Sequence, residues 1–275
     1  MTPRTYPAGV PCWIDTEQSD VDAAADFYGG LFGWTFEDAM PPGAPGRYLI
    51  ARLNGADVGG LAGNDGQAAS WNTYVAVDDA DAAAERLQSA GATVQSEPAD
   101  AGEGGRAASL YDPQGAGFRI WQARRRPGTQ AVNVPGAWNF SDLHTADVGA
   151  AAAFYGSAFG WEADDLGYGW LVRRPGYGDH LQSTVDPGIR ERQAEISVPP
   201  GFEDAIAWYV DAAGNQRPHW HVTFAVEDRD GTADQAERLG AVVVDQSDEE
   251  WSRTARIRDP QGAEFTVSQF TPPSG

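Results

Sequence analysis

Lysine is absent from the 275 residues, so all 19 basic side chains are arginine. Without a lysine amine the chain has no Schiff-base chemistry, no usual pyridoxal phosphate linkage and no Walker-type phosphate loop. Cysteine occurs once, at Cys12, which excludes an internal disulfide, a thiolate zinc cluster and a dithiol redox pair. Positive charge is scarce: 40 acidic residues oppose the 19 arginines, for a formal charge of −21. Such a chain repels a phosphate backbone, so nucleic acid is excluded as a partner. No apolar run approaches the ~18 residues of a membrane span. Met1 to Cys12 hold one Arg and no apolar stretch, so neither a membrane partner nor a secretory leader is expected, and the location expected is cytoplasmic. The partners left are a small molecule and, for a monomer or homodimer, a second copy of the chain.

What is present is a repeat. Phe27-Tyr28-Gly29-Gly30-Leu31-Phe32-Gly33-Trp34 returns as Phe154-Tyr155-Gly156-Ser157-Ala158-Phe159-Gly160-Trp161, with six of eight positions identical at an offset of 127. Asp112-Pro113-Gln114-Gly115-Ala116 returns letter for letter at Asp259 to Ala263, each copy six residues after an arginine, Arg106 or Arg253. Trp71 to Asp79 resembles Trp220 to Asp228. Three landmarks in one order mean a tandem duplication. The expected organisation is one domain over 1–123, a linker over 124–136 rich in Arg, Pro and Gly, and a second domain over 137–275.

Each half reads as two smaller units of a strand, a helix and further strands. Cys12 to Thr16 is an expected strand, Ser19 with Asp22 an expected capping box, and Val21, Ala24, Tyr28 and Leu31 one helical stripe stopped by Gly33. Thr73 to Val77 alternates as a strand, and Asp78 or Asp79 opens a helix over Ala80 to Gln88. Arg106 to Tyr111 and Phe118 to Trp121 flank the Asp-Pro-Gln-Gly turn as a hairpin. The halves differ most between Gly60 and Trp71, ten residues, and between Gln182 and Trp220, thirty-seven. The extra stretch is placed at about 186–218, punctuated by Pro199-Pro200 and Gly214-Asn215. Phe202, Ile206 and Tyr209 repeat at helical spacing, which predicts a short amphipathic helix covering the second domain or, equally, a contact to the first domain or a second copy.

A strand, a helix ending Phe-Tyr…Phe-Gly-Trp, a strand entering Val-Asp-Asp, and Asp-Pro-x-Gly before a last strand resemble the vicinal oxygen chelate superfamily. That group includes glyoxalase I, bleomycin-resistance proteins, fosfomycin-resistance enzymes and extradiol dioxygenases; the narrower likeness is to two-domain actinobacterial glyoxalase-like proteins, often labelled hydroxylases. The resemblance implies an α+β fold of tandem glyoxalase-like domains, each two βαβββ modules forming an open curved sheet that cups the ligand. It also implies a divalent metal held by His and Glu on cup-facing strands. Counted from the landmarks, the first ligand position falls on Trp13 and Phe140, the third on Asn72 and His221, and the fourth on Arg119 and Thr266. The second falls within Asp57 to Leu61 and Asp179 to Ser183, where Asp57, Asp179, His180 and Gln182 are the polar candidates. A guanidinium repels a dication, and one inherited His is not a site, so no metal is expected. The alternative is a relocated Fe, Mn or Zn site in the second domain, built from His221 with Asp142, His144 or His180, since all four histidines (with His219) lie in that half.

Asp15 and Asp142 lie two residues beyond the first ligand position and so face their cups. Asp142 and His221 are the candidate catalytic pair, a carboxylate and an imidazole suited to proton transfer near neutral pH. Candidate ligand contacts are Phe140, Gln182, Thr223 and Thr266 in the second domain, and Trp13, Asp15, Asn72, Tyr74 and Arg119 in the first, where Asp15 and Arg119 are expected to pair. Arg106 and Arg253 are expected to serve the scaffold, the Phe-Tyr…Phe-Gly-Trp segments the core, and the acidic pairs Asp78-Asp79 and Glu227-Asp228 helix caps. The leading function is binding, or metal-independent acid/base conversion, of a small aromatic or polyketide-like molecule. A metal-dependent lyase, isomerase or dioxygenase and a protein–protein module with vestigial cups stand beside it.

Overall fold

The computed structural model describes residues 3–41, 43, 46–64, 66–196, 198–212 and 216–272. The first half runs β1 (Pro11–Gln18), α1 (Val21–Phe32), β2 (Thr35–Asp38), β3 (Tyr48–Leu53), β4 (Ala56–Gly63), β5 (Ser70–Ala76), α2 (Ala80–Ser89), β6 (Thr93–Ala101), β7 (Gly105–Tyr111) and β8 (Gly117–Ala123). The second half repeats this plan with β9 (Trp138–Thr145), α3 (Val148–Phe159), β10 (Glu162–Asp165), β11 (Trp170–Arg173), β12 (Ala205–Asp211), β13 (His219–Ala225), α6 (Arg229–Arg238), β14 (Val242–Asp248), β15 (Ser252–Arg258) and β16 (Glu264–Phe270). Two helices, α4 (Tyr177–Thr184) and α5 (Ile189–Ala194), and a 3-10 turn at Phe202–Asp204 interrupt it between β11 and β12. Each half forms one eight-stranded mixed sheet, ordered β2-β3-β4-β1-β5-β8-β7-β6 and β10-β11-β12-β9-β13-β16-β15-β14. This is the expected α+β fold of paired βαβββ modules.

The chain divides into two compact units, one of Met1–Cys12, Thr73–Gly128 and Ser141–Trp220, the other of Trp13–Asn72, Thr129–Phe140 and His221–Gly275. Each therefore draws one βαβββ module from each half of the chain, and the repeated motifs show why. In the second unit, Tyr28 Oη donates to Asp259 Oδ2 at 2.8 Å, Gln18 Nε2 donates to the same oxygen at 2.8 Å, and Trp71 Nε1 donates to Tyr28 Oη at 3.2 Å. In the first, Tyr155 Oη donates to Asp112 Oδ2 and Trp220 Nε1 to Tyr155 Oη, both at 3.1 Å. The other carboxylate oxygen of each Asp caps its own turn, accepting the N–H groups of Gln114 and Ala116, or of Gln261 and Ala263. The glutamine of each turn then brackets the backbone of a helix N-cap: Gln261 binds both N–H and C=O of Asp20, and Gln114 those of Asp147, at 2.7–2.9 Å. All three landmarks of the repeat are thus one latch, made twice, that joins a module of one half to a module of the other. Burial and the neighbouring carboxylate push the Tyr28 and Tyr155 phenols well above the usual tyrosine range.

The helices end as their sequences predict: Gly33 and Gly160 adopt left-handed φ of 72° and 70°, a conformation costly for any residue with a Cβ. At the other end the structure corrects the expected capping box. The N-cap of α1 is Asp20, whose side chain accepts from Ala23 N–H, while Ser19 donates to Gln261. Asp79 and Asp228 cap α2 and α6. Leu31 is only half-buried, and Phe27 and Phe32 complete the core stripe of α1.

The inserted stretch also differs from expectation. Residues 205–211 are strand β12, paired in parallel with β9 and antiparallel with β11, so the helical spacing of Phe202, Ile206 and Tyr209 is overridden by two flanking ladders. The extra segment is 174–204. Its helices pack inside the first unit: Tyr177, Leu181 and Ile189 join the core, Arg4 Nη2 donates to Tyr177 Oη at 3.3 Å, and His180 Nε2 lies 3.0 Å from the carbonyl oxygen of Thr5. Gly214 and Asn215 lie outside the described residues.

Candidate functional site

Strand pairing sets the correspondence between halves. On β1 and β4, Asp15 pairs with Gly60; on β9 and β12, Asp142 pairs with Trp208. The counterpart of Asp57 to Leu61 is therefore Ala205 to Tyr209, not Asp179 to Ser183, which lies in α4. Gln182 and His180 thereby leave the sheet: exposed Gln182 bonds Arg190, and His180 faces Thr5.

In the second unit, Trp13, Asp15 and Asn72 come together, with Tyr48 as a fourth member that sequence reasoning missed. Tyr48 Oη donates to Asp15 Oδ2 at 3.0 Å and accepts from Trp13 Nε1 at 2.9 Å; Asn72 Nδ2 donates to Asp15 Oδ1 at 2.9 Å. Asp15 is fully buried and Trp13 is 4% exposed. The same unit holds Phe140, half-buried, and the pair His221 Nε2 and Thr266 Oγ1, 2.8 Å apart on adjacent strands, with Thr223 in register with Thr266.

In the first unit, Arg119 Nη1 donates to Tyr74 Oη at 2.8 Å, with the guanidinium carbon 5.4 Å from the ring centroid. The same unit presents Asp142 and His144 on alternate positions of β9, both half-buried, beside Trp208 on β12. The His144 and His219 rings stack at 4.7 Å. Arg106 forks onto Asp81 at 2.8 Å and reaches Asp100, and in the second unit Arg253 binds Asp230 and Asp248. Both serve the scaffold, and they hold the Asp81 and Asp230 carboxyls below the usual carboxylate range.

The residues at the implied ligand positions do not fit a divalent metal. The two windows for the second ligand supply a single carboxylate, Asp57, held by Arg52 at 2.9 Å. The others supply an indole, a phenyl ring, an amide, a guanidinium, a hydroxyl and one imidazole, whose Nε2 engages that hydroxyl. Among the described residues no group of three or more His, Cys, Asp or Glu is placed to hold a metal ion, the set of His221, Asp142, His144 and His180 included. Nor, among them, is any helix long and apolar enough to cross a membrane.

Paired βαβββ modules with this motif latch define a glyoxalase-like class, and the comparisons agree. A glyoxalase-like domain model matches residues 140–268, and the model of the glyoxalase/bleomycin resistance protein/dioxygenase superfamily matches residues 18–120. The chain belongs to that superfamily, the vicinal oxygen chelate group. It is 33% identical to “Putative glyoxylase CFP32” of Mycobacterium tuberculosis over 278 residues, 97% of each chain. It is 35% identical to the anthracycline biosynthesis protein DnrV of Streptomyces peucetius over 282 residues, 96% of this chain and 94% of that one. In fold it is similar to the Mn(II)-bound glyoxalase from Novosphingobium aromaticivorans, with TM-score 0.61, 16% identity, and coverage of 98% of this chain and 83% of that one. The 2,3-dioxygenase LapB from Pseudomonas sp. KL28 aligns with TM-score 0.62 and 12% identity, over 97% of this chain and 93% of that one.

Proposed function

We propose that the second half of the chain binds, or converts by metal-independent acid/base chemistry, a small aromatic or polyketide-like molecule. The observation that carries this reading is an asymmetry between equivalent residues. Asp15 and its neighbours are locked into a buried hydrogen-bonded cluster, whereas in the first unit Asp142, His144 and Trp208 are each only half-buried. A half-buried carboxylate in register with an aromatic side chain, Asp142 with Trp208, is compatible with a ligand site. The proton-handling candidate of the first unit is Asp142 on β9, and that of the second unit is His221 on β13. Relatives named for anthracycline biosynthesis favour an aromatic ligand, and the donor set argues against a metal.

A thermal-shift screen of aromatic metabolites tests the reading. Saturable stabilisation lost in Phe140→Ala or Asp142→Asn supports it; a broad library without a hit removes it. Metal analysis of untagged protein and of His221→Ala tests the metal-independent part, which one equivalent of metal, lost in the variant, would overturn.

A further inference from the structure

Within the second unit, the last turn of α1, residues 135–136 and the first two turns of α6 border a cavity of about 360 Å³, a volume in the range of small-molecule pockets. One wall is apolar, made by Leu31, Phe32, Pro135 and Val226, and the other carries Glu227, Asp228 and Gln235. Among the described residues no basic side chain lines it. Asp228 caps α6 through Oδ1, which accepts the Asp230 N–H at 3.1 Å, while Oδ2 lies beside Gly231, where an added Cβ would meet it at 2.6 Å. Among the described residues neither Glu227 nor Asp228 is paired with an arginine, and Arg229 binds Asp230 and Asp248 instead. The helix start holds no donors out to an anion: the N–H groups of Arg229, Asp230 and Thr232 go to Gln269 Oε1, Asp228 Oδ1 and the Asp228 carbonyl.

The equivalent residues of the first unit carry a different balance of charge. Counted from Trp71 and Trp220, Asp78 and Asp79 stand for Glu227 and Asp228, and Arg86 for Gln235. Ladder register equates Arg173 with Arg52, and so Arg174 with Leu53. Gly9 and Gly136 are equivalent too, each accepting from the tryptophan of a Phe-Gly-Trp motif, which puts Ala8 in the place of Pro135. Arg174 Nε donates to the Ala8 carbonyl at 3.3 Å. The second unit thus keeps two acidic side chains and replaces two arginines by an amide and a hydrocarbon. Arg238, at the far end of α6, donates to Gln235 Oε1 at 3.0 Å and lies ten residues beyond Asp228. That is ~15 Å along the helix, outside the ~10 Å over which exposed charges act in salt.

We propose that this cavity binds a small organic cation, a primary ammonium on a flat apolar frame, with the frame against Leu31, Phe32 and Pro135 and the ammonium facing Glu227 and Asp228 Oδ2. The ligand supplies the positive charge that Arg86 and Arg174 supply in the first unit. A neutral molecule of the same shape gains only the apolar wall, and an anion meets two like charges in a chain of net charge −21. The site lies beside α1 and α6 and stands independently of the reading of Asp142 and His221.

Titration of the full isotope-labelled chain with tryptamine, tryptophol and indole-3-acetate tests this by amide chemical shifts, one indole frame carrying in turn an ammonium, a hydroxyl and a carboxylate. Exposed charge pairs are individually weak, so at low salt tryptamine should bind ~5–10-fold tighter than tryptophol, and the preference should shrink to ~2-fold in about 0.5 M salt. Indole-3-acetate should bind more weakly than either, and the shifted amides should cluster around Phe32, Val226 and Gln235. Asparagine is as good an N-cap as aspartate, so the double variant Glu227→Gln with Asp228→Asn keeps its fold; it should bind tryptamine and tryptophol within ~2-fold of each other. Gln235→Arg restores the first-unit cation and should weaken tryptamine ~5-fold while leaving tryptophol within ~2-fold of the parent. No saturable binding, no preference over tryptophol, unchanged tryptamine binding in Gln235→Arg, or a preference that survives the double variant, as adsorption anywhere on an acidic surface would give, overturns the site. Tryptamine binding lost in Asp142→Asn but kept in the double variant overturns it as well and leaves the small-molecule reading of Asp142 standing.

Discussion

The latch joins modules from the two halves of the chain, and Tyr28→Phe tests it. The substitution removes one hydroxyl from a fully buried position, where it donates to Asp259 and accepts from Trp71. Loss of a hydrogen bond to a charged acceptor costs about 1.5–3 kcal/mol, and an indole N–H left without its acceptor costs about 1–3 kcal/mol more. Gln18 still donates to Asp259 Oδ2, which limits the damage, so the expected net loss is about 2–4 kcal/mol by urea denaturation. Tyr155→Phe should cost about 1 kcal/mol more, because Thr145 stands at the position of Gln18 while Tyr155 Oη donates to Asp112 Oδ2. A double-mutant cycle of Tyr28→Phe with Asp259→Asn should give a coupling of about 1–3 kcal/mol. The pH dependence follows from the raised phenols. A folded-state pKa above the unfolded value near 10 means the contribution is complete below pH ~10 and is lost as pH rises through the folded value. Each such phenol then steepens the loss by up to about 1.4 kcal/mol per pH unit, and Tyr28→Phe should flatten it. A Tyr28→Phe cost under about 0.5 kcal/mol, or strict additivity with Asp259→Asn, would refute the latch.

Gly60→Ala should destabilise the chain by about 1–3 kcal/mol, because Tyr48 is tied to both Trp13 and Asp15 and cannot swing away from the new methyl without breaking a bond; Gly169→Ala, with ordinary contact distances, should melt within a degree or two of the parent. The Asp81 and Asp230 carboxyls, held low first by hydrogen bonds from Arg106 and Arg253, contribute stability present above pH ~4 and lost as pH falls through their folded values. Acid titration of Asp81→Asn should therefore show a shallower fall below pH ~4 than the parent. Because each compact unit takes modules from both halves, fragments 1–128 and 129–275 should show no cooperative melt alone and recover one on mixing; an independently cooperative fragment would contradict the latch.

The duplication, the paired modules and the glycine stops of α1 and α3 were legible because the motifs that mark them are packing devices, and packing demands the same residues wherever the same modules meet. Tyr28, Trp71, Asp259 and Gln261 each read as landmarks before their bonds were visible. The strand β12 was not legible, because a 31-residue insertion from 174 to 204 separates it from β11 and places Phe202, Ile206 and Tyr209 at a helical spacing that only the ladders to β9 and β11 disprove. That error displaced the second-ligand window onto α4 and made Gln182 a site residue. Tyr48 was missed for a related reason: its role depends on the missing side chain of Gly60, twelve residues along and on another strand, and no local pattern joins the two.

The two kinds of residue also fall on opposite faces of the sheets. Ile14 and Leu143, alternating with Trp13, Asp15, Asp142 and His144, point into the helix-packed cores, and that side keeps its motifs in both halves. The other side has diverged at almost every equivalent pair: Trp13 and Phe140, Tyr48 and Gly169, Gly60 and Trp208, Asn72 and His221, Arg119 and Thr266. The carboxylate is held in common, as Asp15 and Asp142, and so is the guanidinium of Arg52 and Arg173. In a duplicated chain, then, recurrence of a residue marks what holds the modules together, and failure to recur marks where the two copies have taken different partners. One exception to divergence, the carboxylate, is the residue on which a shared chemistry would have to rest, which is why Asp142→Asn is the substitution that most directly separates a binding face from a merely drifting one.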